Sequence, residues 1–211
     1  MLQNSARSSA LLLILWAAAG SAAAQSVIET DKFDVEKAHV YVAAVQPHRP
    51  VRASNGHATN RVFIYMDDGV MTRREGTGPT QTVMFHRGDV GWIPASTGYV
   101  SENTTDRPVR ILVVDVKGKP GPRQATRLDP TVVDPRHYAV ALDNDQVRVL
   151  RIHFEPHDRG NEHEHLLNRV VFNLNDQASG KADDVRMAGA AVHTEENQAG
   201  TPADRIAVEL K

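Results

Sequence analysis

From Val40 onward the apolar positions fall in short strand-length runs, not in stripes along helical faces. Val147-Arg148-Val149-Leu150-Arg151-Ile152 largely alternates apolar with charged. Val40 to Val45, Arg110 to Val116 and Arg205 to Leu210 are more continuously apolar. All four predict strands. Arg61 to Met66 predicts another, ended by the turn signal Asp67-Asp68-Gly69. Val70 to Glu75 and Thr80 to Phe85 flank Gly76-Thr77-Gly78-Pro79, which predicts a hairpin. No long segment shows helical periodicity, so the pattern predicts an all-β fold.

The pattern also repeats. Gly56-His57-Ala58-Thr59-Asn60-Arg61-Val62 recurs as Glu164-His165-Leu166-Leu167-Asn168-Arg169-Val170. Pro47-His48 recurs as Pro156-His157, and Glu102-Asn103 as Glu196-Asn197. Landmarks in the same order at similar spacing indicate a duplicated unit. The spacing shortens toward the end, which implies that the second copy has lost residues from the hairpin region, around Asn175 to Ala182. The expected organisation is residues 1–24 as a signal peptide, 30–117 as a first barrel, 118–137 as a Pro-rich linker and 138–211 as a second barrel.

The leader reading rests on Arg7, the apolar stretch Ala10 to Ala19 and the small run Ala22-Ala23-Ala24 before Gln25. That stretch is shorter than the roughly 20 residues a membrane span needs. Export would place the protein in a periplasm or outside the cell. The chain has 24 Lys+Arg against 26 Asp+Glu, and Arg7 is the one charge the leader would remove. A mildly acidic protein favours neither nucleic acid nor an anionic membrane as partner. With no Cys, it has neither disulfides nor thiolate chemistry. Small barrels leave sheet edges that dimerisation often covers, so a homodimer is expected.

Gly88-Asp89-Val90-Gly91-Trp92-Ile93-Pro94, followed by Glu102-Asn103, resembles the second motif of the cupin superfamily. Ser96 stands where that motif has its middle Gly, and Tyr99 where it has His. In the second copy His193 and Asn197 fit, while Ala182, Ala188 and Ala190 replace the Gly, Pro and Gly. His163-Glu164-His165 resembles the H-x-H of the first cupin motif, with Arg169 or Val170 where the family has Glu. In the first copy the same place reads Asn55-Gly56-His57. The resemblance implies two small antiparallel jelly-roll barrels in tandem.

Residues two apart on a strand face one side, so His163 and His165 point the same way. His193 joins them from the second motif. Three imidazoles suit a divalent transition metal: Fe, Mn, Ni, Cu or Zn. The resemblance implies the same, because these positions carry metal ligands in cupins. Arg169 shares their parity. A permanent cation beside a metal is tolerable if an anion lies between them, so Arg169 is the expected anchor of a small anionic molecule. Glu195 and Glu196 are acid/base candidates if either faces the site. The first copy, with His57, Asn55, Arg61 and Tyr99, has too few ligands and reads as degenerate, Tyr99 being placed to hydrogen-bond His57. Phe63 and Trp92 read as core, and Arg73-Arg74 as a solvated hairpin edge. Two functions are expected: a metal-dependent oxygenase or isomerase acting on a small anion, or a non-catalytic binding or structural bicupin with a decayed pocket.

Overall fold

The structure is a computed structural model describing residues 25–53, 56–121 and 124–211. The expected leader and Asn55 lie outside these residues. The first copy comprises β1 (Val27–Asp34), β2 (Ala38–Val45), β3 (Pro50–Ala53), β4 (Asn60–Tyr65), β5 (Gly69–Glu75), β6 (Gln81–Phe85), β7 (Val90–Ile93), β8 (Tyr99–Asn103) and β9 (Val109–Val116). The second comprises β10 (Tyr138–Asp143), β11 (Val147–Phe154), β12 (His163–His165), β13 (Arg169–Asn173), β14 (Val185–Ala188), β15 (Ala191–His193) and β16 (Ala203–Leu210). Each copy builds a five-stranded sheet of the same order, β1-β2-β9-β4-β7 and β10-β11-β16-β13-β14. Opposite these lie β3-β8-β5-β6 in the first copy and only β12-β15 in the second. The β5–β6 hairpin has no counterpart; Asn173 leads to Val185 through a turn bridged by Gln177 and Gly180.

The two large sheets pack against each other. Val40, Val62, Ile64, Leu112 and Val114 of one meet Val149, Val170, Phe172, Ile206 and Val208 of the other in the largest apolar core. The opposite faces line the barrels. In the second, Leu150, Ile152, Phe154, Val171 and Ala207 surround Tyr138. Burial on both faces is why β9, β13 and β16 read as nearly continuous apolar runs, not as alternation. Polar clamps rim the contact: Arg87 and Arg110 both donate to Asp183, at 2.7 and 2.6 Å.

The segment between the copies packs on the second barrel. Asp129 caps a one-turn helix, α1 (Pro130–Val133), accepting from the Thr131 amide, with Pro130 where a helix tolerates it. The Leu128 carbonyl accepts from the Glu164 amide, which covers the free edge of β12.

The motif residues act through the backbone. Ser96 adopts φ +63°, the left-handed conformation that the cupin Gly would supply. Gly56, at φ +69°, lies so close that a Cβ would come within 2.3 Å of the Ser96 carbonyl carbon. The Ser96 amide donates to the His57 carbonyl at 2.9 Å, which ties the two turns together. Asn103 and Asn197 are buried and bind local carbonyls through their amides, Asn103 to Val45 and Arg107, Asn197 to Glu155 and Thr201.

Candidate metal centre

β12 and β15 pair antiparallel, with His163 directly opposite His193. This register, together with the two-residue repeat of β12, brings His163, His165 and His193 onto one inward face. Their ring centroids lie 4.5 to 5.5 Å apart. One ligand nitrogen from each falls within 4.8 Å of the others.

The protons can be assigned from the partners. His163 Nδ1 lies 2.9 Å from the Asn161 carbonyl, which only accepts, so Nδ1 carries the hydrogen and Nε2 a lone pair. His165 Nδ1 lies 2.8 Å from Glu209, which fixes the same tautomer. A carboxylate behind an imidazole orients the ring and raises its basicity as a ligand. His193 Nε2 is buried with no hydrogen-bond partner. Burial, with His163 next, pushes the His193 pKa down to about 4. Burial likewise lowers His163.

Tyr138 adds a further mismatch. Its hydroxyl lies 2.9 Å from Glu195 and 3.0 Å from His163 Nε2, so one proton faces two acceptors. Burial and Glu195 raise the phenol's pKa, so it stays protonated. Burial pulls Glu195 upward, but Arg205 outweighs it and holds the carboxyl below its ordinary value. A cation on His163 Nε2 would leave the Tyr138 proton to Glu195 and remove that conflict. The donor set and the orphaned His193 nitrogen therefore fit a divalent transition metal.

Arg169 is buried and faces the same interior, donating to the Gly189 carbonyl. Burial lowers its pKa, but a guanidinium remains charged. It is close enough to His193 to help lower that group. Glu195 faces the site while Glu196 is exposed on the far side. Tyr138, Arg205 and Glu209 were not anticipated from the sequence. For Glu209 a signal existed: it and Asp115 each interrupt an apolar strand at matching places in the two copies.

In the first barrel Tyr99 stands where the second has His193, and its hydroxyl lies 2.9 Å from His57 Nε2. Arg61 Nη1 also donates there, at 2.9 Å. One histidine with its lone pair engaged gives no metal set. Phe63 and Trp92 pack against cores as expected. Arg73 departs from expectation. It shares the inward face of β5 with buried Met71 and lies over the Tyr99 ring at 4.5 Å, so it is not a solvated edge residue.

No protein-family model matches the chain, and no curated protein matches it either. Solved structures do. A cupin 2 conserved barrel domain protein from Leptotrichia buccalis superposes with TM-score 0.57 at 10% identity, covering 88% of this chain and 89% of the other. AerE from Microcystis aeruginosa gives 0.65 at 9% identity, covering 90% and 95%. Bacillus subtilis oxalate decarboxylase, described with Mn(II) centres, gives 0.57 at 13% identity, covering 83% and 69%. At these identities the likeness is one of fold. The chain has the cupin fold, and its two copies share one sheet topology.

Proposed function

We propose that this chain is an exported cupin protein whose second barrel holds one divalent transition metal on His163, His165 and His193 and binds a small anionic molecule beside it. The observation that carries the reading is the buried His193 Nε2, a ring nitrogen that lacks a partner beside two histidines whose Nδ1 atoms are bonded. Burying an unsatisfied polar nitrogen costs on the order of 1–3 kcal/mol, and a metal would remove that cost.

Charge supports the anion. Two buried guanidiniums, Arg169 and Arg205, face two carboxylates, Glu195 and Glu209. These balance. A divalent cation on three neutral imidazoles would add two positive charges, and a small carboxylate would offset them. Arg169 orients that anion. Glu195 stands ready to take or return a proton through Tyr138, beside His163. When bound, the metal supplies Lewis acidity or access to oxygen, which places turnover in the oxygenase or isomerase class. Fe, Mn, Ni, Cu and Zn all suit the donors. The acidic balance supports neither nucleic acid nor membrane as partner, and no helix among the described residues is long and apolar enough to cross a membrane.

Reconstitution with Co(II) tests both halves. The visible spectrum should report coordination by three nitrogens, and a small carboxylate should perturb it. Arg169→Gln should keep the metal and weaken the carboxylate effect at least tenfold. An unchanged carboxylate response in that variant would remove Arg169 from the site.

A further inference from the structure

The first barrel contains a cavity of about 120 Å³. Its body is apolar, formed by Tyr41, Phe63, Met71, Ile111 and Val113. His57, Arg61, Arg73 and Tyr99 gather along its polar side, with Ser101 and one carboxylate, Glu29, also in the lining. That side is organised: Tyr99 and Arg61 both bond His57 Nε2, and Arg73 stacks on the Tyr99 ring. A decayed pocket would be expected to fill with apolar side chains or open to water. This one keeps two arginines beside a mainly apolar wall.

The two guanidiniums are incompletely matched. Arg61 Nη2 lies 2.8 Å from Asp115, yet its buried Nε has no partner. Arg73 turns Nε and Nη2 to Glu75, whose carboxylate is mostly exposed and therefore screened. An anion placed between the arginines would satisfy donors that the chain leaves short, and the apolar body excludes a fully hydrated one. We propose that the first barrel is a metal-free binding site for a small carboxylic acid with an apolar tail. Size narrows the class. A cavity of roughly 150 Å³ holds benzene, so this smaller one takes a tail of about three to six carbons. The site is separate from the second barrel and does not depend on metal there.

Calorimetric titration of the full mature chain, freed of metal by chelation, tests this with butanoate, hexanoate and benzoate as probes. At least one should bind saturably at one equivalent. The uncharged alcohol with the same tail as the acid that binds (1-butanol, 1-hexanol or benzyl alcohol) should bind at least tenfold more weakly than that acid. Arg73→Gln should weaken the acids at least tenfold. Ala43→Leu, which pushes a larger side chain into the cavity wall, should abolish binding. His193→Ala should leave it within twofold, which separates this site from the metal centre. Circular dichroism checks that each variant is folded, and the Ala43→Leu result stands if Arg73→Gln is not. Absence of saturable binding by all three acids would overturn the proposal. So would binding indifferent to Ala43→Leu, or binding lost in His193→Ala.

Discussion

Glu209 does for the second barrel what the three histidines cannot do for themselves. By holding His165 Nδ1 at 2.8 Å it fixes which nitrogen faces the centre. Glu209→Gln should leave the fold intact and weaken metal binding by about 10- to 100-fold, read by competition with a chelator; an unchanged affinity would mean that His165 needs no support. His193 yields a pH signature in the metal-free protein. Its folded pKa, about 4, lies below the ordinary 6.5. The unfolded chain therefore binds a proton that the folded one refuses. This contribution to stability is fully present above pH 6.5 and is lost as pH falls toward 4. Denaturant midpoints should fall across that window, and His193→Gln should flatten the fall. The histidines were legible because H-x-H on a strand defines one face whatever surrounds it. Tyr138 and Arg205 were not, since their convergence with the candidate Glu195 depends on how β10, β15 and β16 curve together, which no local spacing records.

At the scale of elements, repetition was the strongest guide. The β5–β6 hairpin and the strands β2, β4, β9, β11 and β16 follow from the apolar runs and their turn residues. β1 and β3 escaped notice: β1 is mostly exposed and charged, and β3 is four residues long around Pro50 and Arg52. Arg73 turns inward although a charged pair beside a turn looks solvated, because the inward parity set by Met71 decides its direction. The Pro-rich segment holds a helix too short to show periodicity. Its start depends on Asp129, which caps α1 and pairs with Arg148 at 2.6 Å. Asp129→Ala should lower stability by about 1–2 kcal/mol in urea titrations, the loss of a cap plus a partner. A change within error would show α1 to be incidental to the barrel.

At the scale of the whole molecule, the two barrels are joined through apolar surface. The largest core lies between them, and the central strands of each main sheet bury both faces. Neither barrel should then unfold alone, and denaturation should follow one transition by every probe. Phe172, fully buried in that core, is the sharpest test. Phe172→Ala should cost about 3–5 kcal/mol and shift the signals of both barrels together; separated transitions would mean that the barrels are independent. The central claim concerns the second barrel, and metal analysis tests it most directly. The protein, purified without a histidine tag and dialysed, should retain about one equivalent of a transition metal, and His193→Ala should lose it. If the wild-type protein holds none after reconstitution with Fe, Mn, Ni, Cu or Zn, or if His193→Ala holds as much, the three histidines are not a metal centre.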